Sequence, residues 1–201
     1  MWVVKLGGSL AYSAQLGGWL SVLAAAASVV IVPGGGPFAD QVRQVQKHWR
    51  FDDSSAHAMA LLAMQQFGTM LCALQSGLTA AGTAAELAAV LKRGETPVWM
   101  PAGMVMAAPG IAHSWEVTSD SLAAWLGGRL AADALLLVKS VPLTGINPNV
   151  DRLIEHRIVD AEFAAYLRAV DLPAWLIGAR DFARFGEVLN GSMDAALQIE
   201  Y

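Results

Sequence analysis

Apolar and polar positions follow two rhythms along this chain: short β-branched runs stopped by glycine, and longer stretches in which apolar residues recur every three or four positions. The first run, WVVKLGG, reads as a buried strand entering a tight turn. Residues 16–27 then read as a helix, and SVVIVPGGG repeats the pattern of strand and glycine turn, which makes a βαβ unit. Helical spacing resumes from about Phe38 to Trp49 and again from Ser54 to Gln75, with Ser54 or Ser55 as the N-cap. TAAELAAVLKRG reads as a helix closed by Gly94, and TPVWMP as a strand. A helix over residues 119–131, a strand in ALLLVKSV, a helix in AEFAAYLRAV and a strand in PAWLIG complete the series. Strands alternating with helices predict an α/β sandwich with a mostly parallel central sheet. No linker breaks the alternation, so residues 1–201 are expected to form one domain.

Composition adds an assembly to this picture. Hydrophobic residues make up 55% of the chain and charged residues 15%, against an average of about 25% charged. That apolar excess predicts a homo-oligomer. The apolar stretch from Trp19 to Val32 falls short of the ~20 residues of a membrane span and ends in PGGGP, so no membrane partner is expected. MWVVKLGGSL lacks the basic leader of a signal peptide, which predicts a cytoplasmic location. The single cysteine, Cys72, lies in a periodic apolar run and reads as a small core filler. Residues 1–100 carry six Lys and Arg against five Asp and Glu, and residues 101–201 carry seven against twelve. Neither half is a basic footprint, so nucleic acid is not an expected partner.

Three segments carry candidate chemistry. Gly7, Gly8 and Ser9 follow a strand directly, where glycine lets backbone N–H groups approach an anion, and Lys5 sets an ammonium beside them. A phosphoryl group in transfer needs that combination of positioning and charge neutralisation. A strand-ending turn with a solvated lysine fits the same residues. No GxxxxGK[ST] P-loop occurs. Gly34, Gly35 and Gly36, between Pro33 and Pro37, form a second turn at the same carboxyl edge of the predicted sheet, where ligands bind in this class. In TSDSLAAWLGGRLAAD, Thr118, Ser119 and Asp120 are capping chemistry, and on its residues alone Asp120 reads as an N-cap. The other role for its carboxylate is to orient lysines in a phosphate site.

KLGGSL, VPGGGPFAD and VTSDSLAAWLGGRLAADALLLVKSV, in this order and over about residues 1–146, resemble the amino acid kinase family of aspartate, glutamate and uridylate kinases. The resemblance implies a three-layer αβα sandwich, ATP as phosphoryl donor, Mg²⁺, and in-line transfer without a covalent enzyme intermediate; the expected acceptor is a small phosphorylated or carboxylated metabolite, with the phosphorylated one favoured. It further implies that Lys5 stabilises the transferring group, Gly7, Gly8 and Ser9 cradle donor phosphates, and Asp120 organises the lysines. Gly34 to Gly36 would face the acceptor. FDDSSAHAMALLAMQQFG and IAHSWEVTSDSLAAWL resemble a small branch of the family acting on an aminomethylfuran phosphate of methanofuran-type cofactor synthesis. That likeness implies an acceptor side containing His57, His113, Ser114, Trp115 and Thr118, and a diphosphate product. On residues alone, His57 also reads as a plain helix position and Trp115 as core. The chain departs from the family where a VDG turn is typical: it reads VKSVPLTGIN, with Pro142 in place of the Asp. The late lysine of many members has no clear counterpart, and Lys139, with Gly145 beyond it, is the candidate substitute on the nucleotide side. An inactive member that only binds a nucleotide or oxyanion is the alternative.

Overall fold

The computed structural model describes all residues 1–201. Its elements run β1 (Trp2–Leu6), α1 (Leu16–Ala24), β2 (Val29–Pro33), α2 (Gly36–Trp49), α3 (Asp53–Leu74), β3 (Leu78–Ala81), α4 (Ala84–Lys92) and β4 (Thr96–Trp99). The second half adds α5 (Ala102–Met106), α6 (Ser119–Arg129), β5 (Ala134–Lys139), α7 (Val150–Glu155), α8 (Phe163–Val170), β6 (Ala174–Gly178), α9 (Phe185–Leu189) and β7 (Ala196–Gln198). One sheet takes the order β3-β4-β2-β1-β5-β6-β7, parallel throughout except for the β6–β7 pair. The expected three-layer αβα sandwich is therefore present. β1, flanked by β2 and β5, is central and buried on both faces.

Strand alternation divides the core. Val3, Val30, Val32, Leu135 and Leu137 pack into one apolar cluster with α6 and α8, while Val4, Leu6, Ile31, Leu136 and Val138 pack into another with Trp19 and Leu23 of α1. Because side chains two apart share a face, Lys5 follows Val3 and Lys139 follows Leu137 onto the α6 side. The apolar stretch 19–32 is split between α1, a turn through Ser28 at φ 57° and β2. α3 is long and apolar enough to cross a membrane by length and composition, but it buries Ala56, His57, Leu61, Met64, Phe67 and Leu71 in the fold.

Several expectations are corrected. The N-cap of α3 is Asp52, not Ser54 or Ser55: its carboxylate accepts from the Ser55 N–H at 2.8 Å and from Ser55 Oγ at 2.8 Å. The N-cap of α6 is Thr118, which leaves Asp120 one position further in than a first-turn start. β3 and β7 are edge strands of four and three residues, and the short helices α5, α7 and α9 carry too few turns for a periodic signal. Cys72 is half-buried rather than a core residue, and burial pushes its thiol up. Gly94, at φ 74°, does close α4.

The glycine turns after β1 and β2 touch each other. A Cβ on Gly8 would stand 2.1 Å from the Gly36 nitrogen, and one on Gly34 would stand 2.4 Å from the Gly8 nitrogen. Gly36 also has φ +56°. Gly8→Ala is therefore expected to destabilise by ~1–3 kcal/mol through forced separation of two backbones. Gly17→Ala, where nothing lies within 4 Å, is the control and should stabilise by about 0.4–1 kcal/mol, since alanine narrows the freedom of the unfolded chain at a helical position. Urea unfolding of the two variants checks the pair, and equal stabilities would remove this reason for the glycine.

Candidate active site

Three charged side chains meet where β1, β5 and the first turn of α6 converge. Lys5 Nζ lies 2.8 Å from Asp120 Oδ1, and Lys139 Nζ donates to both Asp120 oxygens at 2.9 Å. All three are buried, at 6%, 5% and 8% exposure for Lys5, Asp120 and Lys139. Burial favours the neutral acid at Asp120, yet the charges of Lys139 and Lys5 outweigh it and bring the carboxyl down to about 2. Burial also works on Lys139, and with the repulsion of Lys5 it outweighs Asp120 and lowers that ammonium to about 8. Two ammoniums share one carboxylate, so the group carries a positive charge with no partner inside it.

The N-terminus of α6 is finished from elsewhere in the chain. Thr118 makes no side-chain cap of its own. Asp160 accepts instead from the Thr118 N–H at 2.9 Å, Thr118 Oγ1 at 2.8 Å and the Ser121 N–H at 3.0 Å, and also from Ser121 Oγ. Burial pushes the Asp160 carboxyl up, Asp120 adds to this, and the hydrogen bonds from Ser121 and Thr118 oppose it. With its proton committed to Asp160, the Thr118 hydroxyl offers only lone pairs elsewhere.

Beside this group a cavity of about 350 Å³ opens between the glycine turns, α2, α3 and the segment before α6. Gly8, Ser9, Gly35, Gly36, His57, Ser114, Trp115 and Thr118 line it, so most candidates from the two glycine turns and the acceptor side come together. Gly7 and Gly34 are buried behind it. Lys5 Nζ is 3.9 Å from where a Gly7 Cβ would be, which sets the ammonium directly behind the first turn. Ser9 Oγ bonds Ser140 Oγ at 3.0 Å and ties the loop after β1 to the loop after β5. Gly145 is exposed on that second loop at φ +76° and does not line the cavity; neither does His113.

The wall opposite the turns is aromatic and basic. His57 and His113 stack with ring centroids 4.9 Å apart, and His113 Nδ1 lies 2.8 Å from Ser54 Oγ. His57 Nε2 is buried without a hydrogen-bond partner. Burial lowers the pKa of His57 and His113 lowers it further. Trp115 is half-buried, donates to Gln46 Oε1 at 2.6 Å and lies under the Arg43 guanidinium at 4.3 Å. Arg43 is itself held by Asp40 at 3.0 Å. Neither Arg43 nor Asp160 was among the sequence candidates. Arg43 had a signal, since Asp40 and Arg43 fall four and seven residues after Gly36, on one helix face. Asp160 had none, because 39 residues separate it from Ser121.

Residues 1–156 match the amino acid kinase family. The chain is similar to the [5-(aminomethyl)furan-3-yl]methyl phosphate kinase of Methanocaldococcus jannaschii, 27% identical over 207 residues that cover 95% of this chain and 94% of that protein. Among solved structures it is similar to uridylate kinase from Archaeoglobus fulgidus, with a TM-score of 0.71, 15% identity and 97% coverage of both chains. UMP kinase from Ureaplasma parvum superposes with a TM-score of 0.71 at 13% identity, covering 100% of this chain and 98% of that one. At these identities the two structures establish the fold.

Removing the shared carboxylate should expose how much the group depends on it. Asp120→Asn leaves two buried ammoniums facing each other and is expected to cost about 3–5 kcal/mol in urea unfolding. Adding Lys139→Met should recover part of that loss, because one uncompensated charge leaves with it. A double variant no more stable than Asp120→Asn alone would contradict the electrostatic account.

Proposed function

The chain belongs to the amino acid kinase family, and from that premise we propose that it is an ATP-dependent phosphotransferase converting a small phosphate monoester into a diphosphate. The observation that carries this reading is the buried pair of lysines on one carboxylate, set behind a glycine turn and next to a cavity. ATP supplies the phosphoryl group. The unpartnered positive charge of the lysine pair suits that group, whose transfer is governed by positioning and by neutralisation of oxygen charge. Lys5 and Lys139 hold the phosphoryl oxygens, Asp120 orients both lysines, and no side chain bonds covalently to the group.

The acceptor side supports a phosphate monoester. Arg43, paired with Asp40 through one nitrogen, lines the cavity with His57, whose Nε2 has no hydrogen-bond partner, and a phosphate offers three acceptor oxygens. Trp115 supplies an apolar plane for a small ring. The name of the Methanocaldococcus relative, a furan phosphate kinase, supports a furan-type acceptor. The structure gathers no group of three His, Cys, Asp or Glu side chains, so Mg²⁺ travelling with the nucleotide would rely on phosphate oxygens and water. The loop after β5 carries Pro142 in place of the usual Asp, which favours a second reading in which the protein binds nucleotide without transfer.

Two measurements separate these readings. Protein with ATP, Mg²⁺ and a furan methyl phosphate should release ADP only when the acceptor is present, and Lys5→Ala should lower kcat by on the order of 100-fold or more. ATP binding without acceptor-dependent ADP release would favour the second reading. The pH profile tests Lys139: kcat/KM, which reports the free enzyme, should fall as pH rises through about 8 and the ammonium loses its proton. Lys139→Arg, which stays charged, should flatten that limb, whereas an unchanged limb would assign it to another group.

A further inference from the structure

We propose that Asp160 is a positioning residue for the phosphotransfer site, holding the first turn of α6 so that Asp120 can keep both lysines in place. This deepens the kinase reading and rests on it. In an ordinary helix start, the N-cap side chain accepts the N–H of N2 or N3. Thr118 makes no such bond; its hydroxyl donates to Asp160 instead. Asp160 takes over the task from outside the helix, accepting the Ser121 N–H and the Thr118 N–H together with both hydroxyls. Asp120 lies between these two anchored residues on the same turn. Its carboxylate therefore has a fixed origin from which to reach Lys5 and Lys139 at 2.8–2.9 Å.

The cap also joins the reacting charges to the acceptor wall. Thr118 and Ser119 line the cavity while Asp120 faces the lysines. A shift of this turn would move the wall and the charged group together, and a misplacement of about 1 Å at a reacting group can cost on the order of 100-fold in rate. The groups facing Lys139 are Asp120, Lys5 and, at longer range, Asp160. Displacing Asp120 should therefore be visible at Lys139 without any turnover.

The test compares Asp160→Ala, Asp160→Asn and Ser121→Ala with the unaltered protein, well below their melting temperatures and with folding verified by near-ultraviolet circular dichroism. The readouts are steady-state kinetics and an NMR titration of the Lys139 side chain in nucleotide-free protein. Asp160→Ala should lower kcat by on the order of 100-fold and raise KM for acceptor as the Thr118 wall moves with the turn. Ser121→Ala, which loosens the cap but keeps the Asp160 charge, should move the Lys139 titration to lower pH. Asp160→Asn, which keeps one acceptor oxygen, should fall between Asp160→Ala and the unaltered protein in kcat, and it carries the test should Asp160→Ala not fold. A lower melting temperature with kcat and the Lys139 titration both unchanged would reduce Asp160 to a structural cap and overturn the proposal. Absence of acceptor-dependent turnover in the unaltered protein would instead overturn the kinase reading, and the Lys139 titration of Ser121→Ala, in which the Asp160 charge is kept, would still decide whether the cap positions Asp120.

Discussion

Asp120 holds two ammonium groups out of water, and the rest of the site is arranged around that single carboxylate. Residues 5, 120 and 139 are brought together by three separate elements that must each stop or start at one point. The alternation that buries Val3 and Leu137 necessarily sends Lys5 and Lys139 into the same apolar layer. An isolated buried ammonium would neutralise rather than remain charged, and at Lys139 that pressure is visible in a value lowered to about 8. A buried ion group of this kind seldom adds stability over well-packed apolar side chains. Its presence in the middle of an otherwise apolar face is better accounted for by what it binds. Two positive charges on one negative charge suit a further anion.

Much of this was readable in the sequence, for identifiable reasons. The β-branched runs at Val3–Leu6 and Val29–Val32 and the apolar run Ala134–Val138 are buried on both faces and so stand out as continuous stretches. The edge strands Leu78–Ala81 and Ala196–Gln198 have no such signal, because they are short and their positions are partly exposed. Alternation from Val3 would have placed Lys5 on the α6 face, and the same count from Leu135 would have done so for Lys139. What local pattern could not supply is partnership across the chain. On its residues Asp120 reads as a cap, whereas in the fold Thr118 holds the N-cap position and Asp160, brought in from beyond β5, accepts the backbone donors of that turn.

The reason for the glycines changes in the same way. As residues, Gly8 and Gly34 suggest backbone opened to an anion. In the fold, their first requirement is mutual: each occupies the space a Cβ of the other's turn would need. Close contact of the two turns draws the ends of β1 and β2 together and places Gly8 and Ser9 against Gly35 and Gly36 on one rim of the cavity. The two turns thus meet backbone to backbone, with Lys5 directly behind the first.

That contact and the first turn of α6 set the spacing available to a reaction. The glycine rim bounds the cavity on one side, and Thr118 and Ser119 bound it on another, one residue from Asp120. Arg43 and His57 lie on α2 and α3, which pack on each other, and α2 starts from Gly36 of the glycine rim. A phosphate held by Arg43 and His57 would be held by side chains other than the lysines proposed to act on the transferring group. The division matters physically, because binding that is equal in ground and transition states raises affinity without raising kcat. On the proposed reading, an acceptor anchor of Arg43 and His57 would determine which molecule enters and would leave the lysine pair free to strengthen only as charge moves.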